Sequence, residues 1–258
     1  MAACWGPGRP RRRRLIMLGA LPSAPVFDGL SECSLPEGWS WRREGPLTLV
    51  PPACLALAPL SLDFRTGRLA HRLARAAEEP LVRALGLRRK DGPRRVVDMT
   101  GGLAGDASRM AAAGAEVLLI ERDPAVLALV VDALRRAEAE GSVPWGNRLR
   151  LRLGNACDAL PGDFDAAYLD PMYPPRKKTA LGAQELRILD ALFLASEGGQ
   201  RALESSPEAL LAAARHRTFR RIVMKGPAIY SPPPPAPDFV HRGKAVNFYG
   251  WLSSAKCA

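Results

Sequence analysis

Long apolar runs are missing from this 258-residue chain. No stretch approaches the 18 consecutive apolar residues that mark a membrane-spanning helix, so none is expected. Cysteine is sparse and scattered: Cys4, Cys33, Cys54, Cys157 and Cys257 are odd in number and form no CxxC pair. That pattern offers neither a disulfide framework nor a zinc site, and reads as reduced thiols in a cytosolic protein. Histidine is limited to His71, His216 and His241, with no ligand spacing among them, so no metal is expected. Lysine is also scarce. Only six of the 37 basic residues are Lys and the other 31 are Arg, against 26 acidic residues, a net charge of +11. Guanidinium forks match phosphate oxygens in pairs, which favours a polyanionic partner over a merely basic soluble enzyme. With 47% hydrophobic and 24% charged residues the chain is otherwise an ordinary globular sequence, long enough for one large or two small domains.

Arg11 to Arg14 followed by the apolar stretch Leu15 to Leu21 imitates a signal peptide, but no Ala-x-Ala cleavage site follows. We read it as a basic tail entering a first short strand of a cytoplasmic protein. Through residue 92 the texture is β-rich and proline-punctuated. Leu60 to Phe64 alternates as a half-buried strand, and Pro51, Pro52 and Pro59 mark turns or edges. Arg68 to Leu87 has helical spacing, interrupted by Pro80. The turn Lys90 to Pro93 sets a boundary: residues 1–92 form a basic arm and small α+β subdomain, and residues 93–258 the ligand-binding domain. From there strands alternate with helices: strands at 95–99, 116–121, 149–153, 165–170, 221–225 and 245–252, helices at 106–113, 125–139 and 183–195. This predicts an α/β, Rossmann-like, mostly parallel sheet covered by helices on both faces. Ser231 to Pro237 is a stiff connector.

In such a sheet ligands bind beyond the carboxyl ends of the strands. Asp98 ends the first, followed by Thr100, Gly101, Gly102, Leu103, Ala104, Gly105 and Asp106. The glycine spacing misses GxGxxG, which argues against a nicotinamide dinucleotide. Asp98 and Asp106 suit instead a cationic ligand carrying an amino group or a sulfonium. Glu121 ends the second strand, where a carboxylate accepts from both ribose hydroxyls of a nucleoside. Asn155 and Ala156 end the third, placed to read an adenine edge and to leave room for its ring, unless they form a plain turn. Asp170-Pro171-Met172-Tyr173 ends the fourth. A carboxylate and a carbonyl there can accept both hydrogens of an exocyclic NH2, while an aromatic ring stacks on the base.

Together these residues resemble class I S-adenosylmethionine-dependent methyltransferases. Asp170-Pro171-Met172-Tyr173 is similar to the Asn/Asp-Pro-Pro-Tyr signature of amino-group nucleobase methylases. More closely, the chain resembles the small-subunit ribosomal RNA guanine-N2 methyltransferase J family from about Leu60 to Leu252. The likeness runs through Leu62-Asp63-Phe64, Ala70-His71-Arg72, Asp98, Thr100, Gly102-Leu103, Asp106-Ala107, Leu169 to Tyr173, Lys178, Ala180-Leu181, Val223, Lys225 and Pro227. The resemblance implies S-adenosylmethionine as cofactor, contacted by Gly105-Asp106, Glu121-Arg122, Asn155-Ala156 and Asp170, with Asp98 and Gly102 shaping its site. It departs where the family's Gly-Leu-Gly-Arg-Asp reads Gly102-Leu103-Ala104-Gly105-Asp106. It also departs in a shortened stretch after Arg72 and in a poorly matching segment through Trp41.

The implied activity is methyl transfer to the N2 amine of a guanine in 16S ribosomal RNA, free or in the small subunit. Asp170 and Pro171 would hold the amine and Tyr173 would stack on the base. RNA docking falls to Arg176, Lys177 and Lys178 and to the basic face of Arg65, Arg68, Arg72 and Arg75. Lys225 would meet a phosphate or pair with a carboxylate, and His71 is either a core histidine or an RNA contact. Competing readings are an adenine-N6 or DNA amino methylase, and a noncatalytic RNA-binding protein on the same fold. Oligomeric state has no signature in the sequence.

Overall fold

The computed structural model describes residues 16–18, 33–141, 143, 145–158, 163–173, 184–196 and 206–253. Five strands run parallel: β4 (Arg95–Asp98), β5 (Glu116–Glu121), β6 (Leu149–Leu153), β7 (Ala166–Leu169) and β8 (Arg221–Pro227). β10 (Val246–Leu252) lies antiparallel against β8, and β9 (Phe239–His241) antiparallel against β10. At the far edge β1 (Ile16–Leu18) pairs antiparallel with β6, as the apolar stretch after the arginine run predicts. The order is β1-β6-β5-β4-β7-β8-β10-β9. From β4 the chain moves outward through β5 and β6, then returns to place β7 on the other side of β4. This reversal opens a crevice beyond the carboxyl ends of β4 and β7, the switch point at which open α/β sheets bind ligands.

Both faces are covered. One face, carrying Val96, Leu119, Tyr168 and Val223, packs with helices α2 (Pro80–Leu85), α3 (Gly105–Ala112) and α4 (Pro124–Ala139) in one hydrophobic cluster. The other, carrying Val97, Ile120, Leu169 and Met224, packs on Leu210, Leu211 and Ala214. α4 has ten of its sixteen residues buried. Its start is specified locally: the Asp123 carboxylate accepts from the N–H groups of Ala125 and Val126, and Pro124 sits in the first turn, where its missing N–H is not needed.

The segment before β4 shares this core. β2 (Ser40–Arg42) and β3 (Thr48–Val50) pair antiparallel, and Trp39, Leu49, Leu60 and Phe64 belong to the same cluster as α4. Phe64 meets Trp145 edge-on at 5.7 Å, and the Leu47 N–H donates to Asp132 on α4 at 3.2 Å. Two local expectations change. Of the alternating Leu60 to Phe64 stretch, only Leu60 pairs, in an isolated bridge with Leu49; the Asp63 carboxylate then accepts from the Arg65 N–H and turns the chain. The helix after Arg68 runs as α1 (Gly67–Ala74), a 3-10 turn at Ala76–Glu78, and α2. The break precedes Pro80 because a residue before proline is driven out of the helical region: Glu79 is extended, at φ −62 and ψ 137.

Helix α5 (Gln184–Ser196) follows its predicted spacing within a residue at each end. Helix α6 (Pro207–Arg215) and strand β9 have no counterpart among the predicted elements. α6 is capped by Ser206, whose hydroxyl accepts from the Ala209 N–H. β9 is only three residues long and follows the proline run. Among the described residues no helix is long and apolar enough to cross a membrane.

The turn from β4 into α3 is tight. A Cβ at Gly101 would lie 2.5 Å from the Leu119 side chain and 2.8 Å from the Ile120 carbonyl oxygen. Ala104, fully buried, adopts φ +60, a left-handed conformation that L side chains disfavour. Two substitutions should therefore separate. Gly101→Ala overpacks a backbone contact and should cost about 1–3 kcal/mol in denaturant unfolding. Ala104→Gly relieves strain of about 1–2 kcal/mol, but loses a buried methyl of about 0.8 and frees the unfolded backbone by about 0.5–1. Its unfolding midpoint should stay near that of the parent.

Candidate active site

Asp98, at the end of β4, is 1% exposed. Its Oδ1 accepts from the Thr100 N–H at 3.0 Å and from the Thr100 hydroxyl at 3.3 Å. The same hydroxyl oxygen accepts from the Asp170 N–H at 2.7 Å. One side chain thus ties the loop after β4 to the loop after β7, across the switch point. Burial pushes the Asp98 carboxyl up to about 7; the Thr100 hydrogen bond works against this, and the Asp170 charge adds to it.

Glu121, ending β5, is likewise buried. Oε2 accepts from the Gly102 N–H at 2.7 Å and Oε1 from the Asp123 N–H at 2.8 Å. Its carboxyl is raised to about 7, again mainly by burial. Each oxygen keeps a second lone pair, so the group can hold the loop and still accept from a ligand's hydroxyls. Arg122 beside it is half-buried. Asn155 Oδ1 accepts from the Cys157 N–H at 2.9 Å, a local turn that leaves the amide NH2 as the end this side chain can offer, and Ala156 is buried. A Cβ at Gly105 would meet nothing within 4 Å, so there is open space beside the first residue of α3.

Charges alternate along a chain of side chains. The Arg72 guanidinium grips Glu79 with two bonds of 2.7 and 2.6 Å. Glu79 accepts from Arg109 at 2.9 Å, and Arg109 also pairs with Asp106 Oδ1. Asp106 Oδ2 accepts from the Tyr168 hydroxyl at 2.5 Å and from Lys225 Nζ at 3.1 Å. Lys225 Nζ donates in turn to Asp170 Oδ2 at 2.5 Å. Burial works to raise the Glu79 carboxyl, yet Arg72 and Arg109 outweigh it and hold the group below its ordinary range. Burial pushes the Tyr168 hydroxyl well above its usual range, so it is a donor here.

Beyond Asp170, Pro171 is buried and Met172 exposed. The Tyr173 hydroxyl donates to the Lys225 carbonyl oxygen at 2.8 Å, and its ring meets Tyr230 edge-on at 4.7 Å. A Cβ at Gly226 would fall 2.9 Å from the Tyr173 hydroxyl, so glycine admits this approach.

The loops at the carboxyl ends of β4, β5 and β7 therefore bring Asp98, Gly102, Gly105, Asp106, Glu121 and Asp170 together. The residues expected at RNA fare differently. Lys225 takes the carboxylate-paired arrangement in place of a phosphate-facing one, because Asp106 and Asp170 surround its ammonium. Arg72 is committed to Glu79. Arg65 pairs with Asp63 and Glu140, and Arg75 with Glu78. His71 is exposed, which removes the core reading, and helps line an open surface cavity of about 230 Å³ with Arg72, Arg75 and Glu79. Arg176, Lys177 and Lys178 lie outside the described residues, as does the Arg68 side chain. Sequence reasoning missed the roles of Thr100, Glu79, Arg109 and Tyr168. Only Arg109 carried a local signal, three positions after Asp106 on one helix.

Known proteins resemble this chain in sequence and in fold. A family model described as "Putative SAM-dependent methyltransferase" matches residues 44–249. Ribosomal RNA small subunit methyltransferase J of Coxiella burnetii is 39% identical over 205 residues, 76% of each chain. The protein of the same name from Thioalkalivibrio sulfidiphilus is 40% identical over 194 residues, 72% of each chain. The crystal structure of a SAM-dependent methyltransferase from Neisseria gonorrhoeae superposes with a TM-score of 0.65 at 24% identity, covering 91% of this chain and 94% of that one, a likeness of fold. With a family match over residues 44–249 and relatives at this level of identity, the chain belongs to the ribosomal RNA small subunit methyltransferase J family of S-adenosylmethionine-dependent methyltransferases.

Proposed function

We propose that this chain methylates the exocyclic N2 amine of a guanine in 16S ribosomal RNA, free or within the small subunit, in the cytoplasm. The observation that carries the reading is the Thr100 bridge. It holds the Asp170 loop, with its neighbouring Pro171 carbonyl, two hydrogen bonds from the buried Asp98, through the Thr100 hydroxyl. The names of the curated relatives support ribosomal RNA as the substrate class.

The residues present fit S-adenosylmethionine. Glu121 has lone pairs for ribose hydroxyls, and Asn155 with Ala156 suits an adenine edge. Gly102 and Gly105 leave room at the start of α3, flanked by Arg122, and Asp98 and Asp106 suit a cationic ligand. When bound, the cofactor supplies an electrophilic methyl group on a sulfonium sulfur. An aromatic amine is a poor nucleophile, so its orientation decides the rate. Asp170 accepts one N–H and the Pro171 carbonyl the other, which aims the nitrogen lone pair. The Asp170 charge also offsets the positive charge that grows on nitrogen during attack. Tyr173, fixed by the Lys225 carbonyl and Tyr230, offers its ring for stacking. A paired base has to be extruded to reach this pocket. Arg176, Lys177 and Lys178, shortly after Asp170 to Tyr173 in the sequence, provide the basic approach for RNA.

Incubation with labelled S-adenosylmethionine and small subunits lacking endogenous methylation should yield labelled N2-methylguanosine after digestion. Label in adenosine would redirect the base assignment, and absent label with absent cofactor binding would favour a noncatalytic protein. Asp170→Ala should lower turnover at least about 100-fold with the fold intact, and near-normal turnover would remove Asp170 from its role.

Glu121 and Asp98 have folded values near 7, above their ordinary 4.5 and 3.8. Carboxyls raised in this way favour folding at acid pH and lose that contribution as pH rises toward 7. Ribose hydroxyls donating to Glu121 favour its ionised form, so cofactor affinity should rise as pH increases from about 6 to about 8. Calorimetric titration with S-adenosylhomocysteine reads this, and Glu121→Gln should both weaken binding and flatten its pH dependence. Replacing Arg176, Lys177 and Lys178 by alanine should lower the log–log salt slope of RNA binding by roughly 2, at about 0.7–0.9 for each phosphate no longer neutralised.

A further inference from the structure

We propose that Lys225 is a positioning residue that keeps Asp170 ionised beside a second fixed carboxylate, Asp106, so that Asp170 meets the substrate amine purely as an acceptor. This rests on the role given to Asp170 above. Lys225 Nζ stands 2.5 Å from Asp170 Oδ2 and 3.1 Å from Asp106 Oδ2, a single ammonium between two carboxylates. Asp106 cannot swing away. Its Oδ1 is held by Arg109, itself clamped by Glu79, and its Oδ2 also takes the Tyr168 hydroxyl. Among the described residues, Lys225 is the cation that contacts Asp170.

The groups around the pair are mostly acidic or neutral. Asp98 comes from β4, Glu121 from β5, Asp106 and Arg109 from α3, Tyr168 from β7, Tyr173 from the loop after it, and Lys225 from β8. Arg109 is spent on Glu79 and Asp106. Two close carboxylates without a cation between them ionise at a cost to each other, so that the second holds its proton to higher pH. A protonated Asp170 carries a donor where the amine needs an acceptor. Lys225 also reaches the second acceptor-site residue, since its carbonyl oxygen receives the Tyr173 hydroxyl. That contact belongs to the backbone and survives any substitution of the side chain. Side-chain charge and ring position can therefore be separated experimentally.

The test compares the parent protein with Lys225→Met and Lys225→Arg. Carboxyl-carbon NMR follows Asp106 and Asp170 against pH in the free protein. In Lys225→Met the titration of the pair should move upward by about one pH unit or more, and in Lys225→Arg it should stay near that of the parent. At saturating cofactor and RNA, the rate of Lys225→Met should fall below that of the parent as pH is lowered through the raised titration of the pair, and its deficit should shrink as pH rises. Lys225→Arg should recover part of the rate. Unmoved titration curves overturn the proposal. So does a rate deficit equal at all pH values, or a raised KM for RNA with kcat unchanged, the signature of a phosphate contact. If Lys225→Met does not fold, Lys225→Gln provides the same comparison, with a hydrogen-bonding side chain that lacks the charge. A parent protein that labels no RNA removes the proposed function, while the NMR titration still decides the role of Lys225.

Discussion

The hydroxyl of Thr100 joins two loops that the chain separates by 70 residues. β4 and β7 are neighbours in the sheet only because the chain doubles back between them, and parallel pairing ends where their strands end. Beyond that point nothing in the ladder sets the distance between the two loops. The Thr100 side chain does so, donating to Asp98 and accepting from the Asp170 N–H. A threonine suits the task because one hydroxyl both gives and receives, and its branched Cβ limits χ1. The loops after β4 and β7 are held in register by this contact.

The crevice concentrates four carboxylates, and the protein handles them in two ways. Asp98 and Glu121 are buried and accept from backbone N–H groups, and burial outweighs those bonds, so their carboxyls are raised to about 7. Asp106 and Asp170 are paired with cations. The first arrangement makes groups responsive to a ligand that donates hydrogen bonds. The second keeps charge at defined points. Burial without a cation raises a carboxyl; a cation at hydrogen-bond distance restores its ionisation.

The pairing extends outward through Arg109, Glu79 and Arg72, so the segment before β4 is coupled to the loop after β7 by charge as well as by the shared core. The same pairing qualifies the charge surplus of +11. Arg65, Arg72, Arg75 and Arg109 each have an acidic partner and serve the fold first. Composition alone cannot separate an arginine that builds the molecule from one that meets a phosphate, because both present the same side chain.

Alternation of short apolar strands with helical spacing determined the α/β sheet, and two strands were legible to the residue: 116–121, an apolar run closed by Glu116 and Glu121, and 149–153, where leucine alternates with arginine up to Gly154. The polar endings of β4, β5 and β7 likewise determined that Asp98, Glu121 and Asp170 face one crevice, since residues at the carboxyl ends of parallel strands share an edge. Helix α6 and strand β9 escaped, the one short and alanine-rich, the other three residues beside prolines. What only the tertiary structure decided is partnership. Thr100 with Asp170, Tyr168 and Lys225 with Asp106, and Arg109 with Glu79 are contacts between distant segments. Local propensity and hydrophobic period carry no record of which polar groups meet, because that depends on strand order and on the close approach of backbones at the switch point.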